Sequence, residues 1–72
     1  MNKIQYADTC DIHNTDRDVT VVGEILDFRP DNRLVVSLDR SVKVSLEYDS
    51  YHKIYVGSMA GMEFTSKGPK EL

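Results

Sequence analysis

The segment Arg29-Pro30-Asp31-Asn32-Arg33 carries the densest polar chemistry of this 72-residue chain. Its two guanidinium groups are donor forks suited to phosphate or carboxylate, and the Asn32 amide can read a base edge. Tyr51, His52 and Tyr55 add ring faces on which single-stranded bases can stack. Arg29, Asn32, Arg33 and Tyr55 are therefore the candidate binding residues. The same residues also suit a plain hairpin: Pro30 fixes φ, and Asp31 with Asn32 tolerates left-handed backbone. The tyrosines serve equally well as packing or subunit contacts.

Cys10 and His13 have the spacing of a metal-ligand pair, with Asp8, Asp11 and Asp16 nearby. A zinc cage needs a second pair, and only His52 stands apart to offer a ligand, so no metal site is expected. A Cys–His nucleophilic pair needs a base held in a cleft by a third group, and the polar segment around Cys10 promises no such frame. No catalytic motif appears elsewhere. A non-enzymatic protein without a cofactor is expected.

These residues must be placed by one small domain, since a chain of this length builds a single core. A core so small supplies only about 3–5 kcal/mol of net stability and is usually stapled. Cys10 is the only cysteine, so no disulfide forms within the chain, and oligomerisation is the expected staple. The net charge is −3 and unevenly spread. Residues 1–28 set Lys3 and Arg17 against Asp8, Asp11, Asp16, Asp18, Glu24 and Asp27, whereas residues 29–70 carry an excess of cations. Such a balance argues against non-specific coating of nucleic acid but leaves room for a local basic site. Lys3 gives a positive start, but Asp8 and Asp11 interrupt any apolar stretch of the kind a signal peptide needs. No run approaches the roughly 20 apolar residues of a membrane helix. A cytoplasmic protein is the expectation.

The pattern along the chain is that of short strands. Residues 1–18 are polar and weakly patterned, with one or two helical turns expected around Ile4, Ala7 and Cys10 and a turn at Asn14-Thr15-Asp16. Val19–Phe28 is rich in β-branched residues and apolar on both faces, so it is buried on two sides or changes its inward face midway. Gly23 marks the expected bend. Leu34–Leu38 follows the Arg29–Arg33 turn, and Val42, Val44, Leu46 and Tyr48 alternate with polar residues after a reversal at Asp39–Ser41. Tyr51–Val56 and Met62–Ser66 complete five strands, with Met62 and Phe64 inward and Lys67–Leu72 as a tail. The fold class expected is an all-β, strongly bent antiparallel small barrel spanning residues 19–66.

An open barrel of five strands leaves backbone groups unpaired along its first and last strands. The expected meeting surface between copies is Tyr51, Lys53, Tyr55, Met62 and Phe64, on the last two strands. A heterologous contact of that kind closes into a ring when the rotation per subunit allows it.

Gly23, Ile25, Phe28, Leu34 and Val36, with Ile54, Tyr55, Val56, Gly57 and Met59, give the chain a resemblance to the Sm/LSm family. That family comprises ring-forming, RNA-associated proteins that include bacterial Hfq. The resemblance spans about Val19–Phe64 and implies a homo-oligomeric ring that binds single-stranded RNA through its loops, the role that the resemblance gives Arg29, Asn32, Arg33 and Tyr55. Three positions depart from the family pattern. Arg29 stands where aspartate is usual, Arg33 stands where the base-contacting asparagine is usual, and Val56 replaces the arginine before the second glycine. Asn32 lies one position early. Two readings follow: an RNA-binding ring, or a structural adaptor on the same fold, of the sort found in phages. In the second reading, edge strands, tyrosines and the acidic N-terminal segment engage protein rather than nucleic acid.

Overall fold

Alternation of apolar and polar side chains is what curls this chain into a sheet with one dry face. The computed structural model describes residues 4–72. Lys3, the cation expected at the N-terminus, lies outside the described residues. Six strands form: β1 Thr9–Asn14, β2 Val19–Arg29, β3 Arg33–Leu38, β4 Val42–Asp49, β5 Ile54–Met59 and β6 Met62–Ser66. Each pairs antiparallel with the next, and β6 returns to β1, so the chain is an all-β small closed barrel. Among the described residues no helix is long and apolar enough to cross a membrane.

Inward positions from all six strands build one core. Cys10, Ile12, Leu34, Val36, Val44, Leu46, Tyr55 and Phe64 are buried, and Ile25, Phe28, Leu38, Val42, Tyr48, Met59 and Met62 pack against them. Phe28 meets Tyr6 and Tyr55 edge-on, at centroid distances of 4.9 and 5.7 Å, the offset geometry that aromatic quadrupoles prefer.

Four sequence expectations are corrected. The strand count rises from five to six because Thr9–Asn14, expected as a polar segment or short helix, is β1. Its alternation is real but rests on Cys10, Ile12 and Asn14, only one of which is strongly apolar. The fourth expected strand, Tyr51–Val56, is shifted: Tyr51–Lys53 form a turn and β5 runs through Gly57 to Met59.

The irregularity of β2 sits not at Gly23 but at Leu26, where the pairing with β3 slips between Ile25 and Asp27. That extra residue carries the inward face from Ile25 to Phe28, so the strand does change its buried face midway. Gly23 has a different task. It faces the core, where a Cβ would lie 2.9 Å from Ile12 and 3.1 Å from Val36.

The expected open edge on the last strand is closed, because β6 bonds β5 on one side and meets β1 at His13↔Thr65 and Asn14↔Phe64 on the other. The terminal segments extend this closure. Ala7 donates its amide to the Lys70 carbonyl at 2.9 Å, and Leu72 donates to Gln5 at 2.7 Å.

The turns follow from local chemistry. Asn14 Oδ1 accepts the amides of Asp16 and Arg17 at 3.0 and 3.1 Å, closing the β1–β2 turn. Asp16 Oδ2 then accepts the Glu63 amide at 2.7 Å, which ties that turn to the start of β6. Asp39 and Arg40 both have positive φ, the left-handed pair that matches strand twist in a tight hairpin.

Candidate functional site

The β2–β3 hairpin brings Arg29 and Arg33 opposite one another at its mouth. Both turn onto one carboxylate. Arg33 Nη2 lies 2.9 Å from Asp27 Oδ2, and Arg29 Nε lies 3.6 Å from the same oxygen. With Asp31 at the tip, the hairpin holds as many carboxylates as cations. Asn32 is exposed, and its backbone is engaged by the turn: its amide donates to Arg29 at 3.0 Å and its carbonyl accepts the Tyr48 amide at 2.9 Å.

Tyr55 is corrected from an exposed ring to a buried one. It is 4% exposed and packs against Phe28 and Tyr48. Its hydroxyl accepts the Asp31 amide at 2.9 Å, so it shapes the hairpin from below and offers no face to a base. Burial pushes its phenol above the ordinary value, with the Asp31 amide acting in the opposite direction.

The expected meeting surface does not assemble. Tyr51 is 87% exposed, beside His52 in the β4–β5 turn, and Lys53 follows at positive φ. Phe64 is buried in the core, and half-buried Met62 takes a hydrogen bond on its sulfur from Asn14 Nδ2 at 3.3 Å. These residues therefore belong to a turn, the core and the opposite end of the barrel, and Phe64 and Tyr55 are buried. At the turn, Asp49 Oδ2 meets His52 Nδ1 at 2.7 Å, and this bond holds the carboxyl below its ordinary range.

Cys10 and His13 lie an odd number of residues apart on β1, so their side chains take opposite faces. Cys10 points inward, where burial raises its thiol pKa against the opposing effect of the Ser66 hydroxyl. His13 points outward. Its Nδ1 is 3.0 Å from Thr20 Oγ1 and its Nε2 is 3.3 Å from Asp18 Oδ1. This hydroxyl–imidazole–carboxylate row resembles a nucleophilic relay in order only. The Asp18 side chain is 92% exposed, whereas an orienting carboxylate acts from a water-excluded site. The row ties two strands together.

The feature that sequence reading missed is on β2. Its N-terminal half, Val19–Gly23, pairs with β1 on one side, but pairing with β3 begins only at Glu24↔Ser37. The Ile25 amide bonds Asp8 on the β1 side, and backbone direction alternates along a strand, so Gly23, Val21 and Val19 also face β1. The amide and carbonyl of Thr20 and of Val22 then point outward along an edge that is unpaired among the described residues. Beside that edge, Val19, Val21, Leu38, Val42 and Met59 line a groove of about 480 Å³ at one end of the barrel, with Phe64 and Met62 also on its wall. Val19, Val21 and Val22 are 48%, 40% and 63% exposed. The sequence signal was present in the apolar run VTVV, which exceeds what one dry face requires.

The outer face of the β1–β2 pair is acidic. Asp11 and Glu24 stand out on it, and Asp18 joins them through its bond to His13. The remaining outer positions of the two strands are Thr9, His13, Thr20 and Val22, and Lys67 and Lys70 line the same surface beside Thr9, Asp11 and His13. Arg17 instead lines the apolar groove.

No protein-family model matches the chain, and no curated protein or solved structure matches it.

Proposed function

We propose that this chain is a protein-docking adaptor: a small barrel whose free strand edge, set beside an apolar end groove, receives an extended segment of another protein. The observation that carries this reading is the edge at Thr20 and Val22, unpaired among the described residues. Edge backbone groups flanked by exposed valines form a template for strand addition, and soluble proteins seldom leave such edges bare. The RNA-binding ring is the weaker reading. Its cations Arg29 and Arg33 are already held by Asp27, and its stacking ring, Tyr55, lies in the core. Single-strand binding needs free cations and exposed rings together.

A random peptide library selected on the intact protein tests the proposal, with the Thr20→Pro variant as counter-selection. The Thr20 amide points away from β1, so proline there blocks the edge without removing a ladder bond. Recovered peptides should bind wild type and perturb the Thr20 and Val22 amide resonances. A selection that yields no peptide sensitive to Thr20→Pro, alongside tight binding of uridine-rich RNA at low salt, would overturn the reading in favour of the ring.

A further inference from the structure

We infer that, when no other segment occupies it, this edge pairs with the same edge of a second copy, antiparallel and two-fold, with Thr20 on the axis. The inference rests on the adaptor reading and names the occupant that a docking segment must displace.

Self-pairing begins with what the edge lacks. Edge strands are commonly blunted by lysine, proline or a bulge, and Val19–Val22 carries none of these. Two copies of one strand can meet about a two-fold axis, so that each makes the other's contacts. The outward groups of Thr20 and Val22 allow few registers. Centred on Val21, the pairing drives residue 18 of the copy onto Glu24, where Ser37 of β3 already stands. Centred on Val22, it drives residue 20 of the copy onto the same place. Centred on Thr20, the pairing avoids β3. Thr20 then exchanges backbone bonds with its counterpart. The copy's β1–β2 turn, which holds Asp18 at a φ of 54°, comes level with Val22 and leads the chain away toward its own β1.

The side chains agree with that register. Val19 of each copy opposes Val21 of the other on the face that lines the apolar groove, and both leave water together. The two grooves then meet across the axis, so that Leu38, Val42 and Met59 of both copies share one apolar floor. Charge closes the rims. Arg17 from the β1–β2 turn and Asp39 from the β3–β4 turn line the same groove, and neither enters an ion pair among the described residues. The Thr20 register brings one copy's β1–β2 turn beside the other's β3–β4 turn. Arg17 of each copy therefore faces Asp39 of the other, once at each rim. On the outer face Asp11 and Glu24 are offset by Lys67 and Lys70, so no field of one sign opposes the approach.

Sedimentation velocity of the intact protein, from micromolar to millimolar concentration, tests the pairing. Wild type should form a dimer, and the Thr20 amide should exchange more slowly with solvent as the dimer fills. Thr20→Pro should abolish the dimer. Arg17→Asp and Asp39→Lys should each raise the dissociation constant about tenfold, since each sets like charges together at both rims. Both changes in one chain should restore the dimer, a rescue that a folding defect cannot produce. A monomer throughout, with library peptides still binding the edge, overturns the inference and leaves the adaptor reading standing. A dimer indifferent to Thr20→Pro and to both charge reversals uses another surface and overturns it as well. A dimer with the expected pattern that no library peptide displaces upholds the pairing and removes the adaptor reading instead.

Discussion

Tyr55 on β5 holds the β2–β3 hairpin by accepting the Asp31 amide at 2.9 Å. The bond joins residues far apart in sequence, and it places a phenol under the loop whose cations were the first candidates for function. Tyr55→Phe keeps the ring in the core and removes only the oxygen. The loss should cost about 0.5–1.5 kcal/mol in denaturant unfolding, the usual net worth of such a bond. A pH effect accompanies it. Because burial raises the folded phenol above its ordinary 10.0, its contribution to stability is complete below that value and is lost as pH rises through the raised one. Wild type should therefore show an alkaline fall in stability that is smaller in Tyr55→Phe, measured by urea midpoints across the alkaline range.

Gly57 should be the least replaceable glycine. A Cβ there would run into the backbone carbonyl of Ser45, because β5 crosses β4 closely just past their last paired residues. Backbone cannot step aside as a side chain can, so Gly57→Ala should destabilise by roughly 3 kcal/mol or more. Gly61 offers the contrast. It has open space around it and a φ of +76°, so Gly61→Ala should cost only about 1 kcal/mol, the price of a left-handed alanine. Thermal midpoints of the two variants should fall in that order.

Strand-forming segments were legible wherever apolar residues alternate without interruption. The spans around β2, β3, β4 and β6 were read within a residue or so, and the small-barrel class followed from them. β1 was not legible, because a strand that shows solvent Thr9, Asp11 and His13 and buries Cys10, Ile12 and Asn14 has only one strongly apolar residue. β5 was misplaced since Gly57 and Ser58 look like a break, whereas the glycine is needed for close approach to β4. Parity told that Tyr51 and Tyr55 share a face in an ideal strand, but not which face is dry, nor that the strand begins only at Ile54. The docking edge was hidden for a related reason. An unpaired edge depends on where a neighbouring strand turns away, and nothing within Val19–Gly23 encodes that β3 ends at Leu38.

Ser66 fastens the seam where β6 leaves β1. Its hydroxyl donates to the Asp11 carbonyl at 2.7 Å and accepts the Gly68 amide at 3.0 Å. The residue is only 6% exposed, so water replaces these bonds poorly. Ser66→Ala should cost about 1–3 kcal/mol, the penalty for leaving buried partners unsatisfied. The seam should also loosen locally, so hydrogen exchange at Gly68 and Leu72 should quicken more than at the β3–β4 ladder. Uniform acceleration across all strands would instead assign Ser66 to global stability alone.

Asp27 decides whether the hairpin cations are available to an anion. It takes Arg33 at 2.9 Å and Arg29 at 3.6 Å, and all three side chains are at least 40% exposed. Exposed pairs of this kind contribute about 0–1 kcal/mol, so Asp27→Asn should leave the unfolding midpoint nearly unchanged. Its effect belongs to charge instead. With the shared carboxylate neutralised, the hairpin gains a net positive charge and two guanidiniums lose their internal partner. Uridine-rich RNA should then bind the variant measurably better than wild type at low salt, and added salt should erase the difference, since phosphate contacts release counterions. If wild type already binds that RNA tightly and Asp27→Asn changes nothing, Asp27 does not restrain these arginines in solution, and the hairpin regains its place as the recognition site.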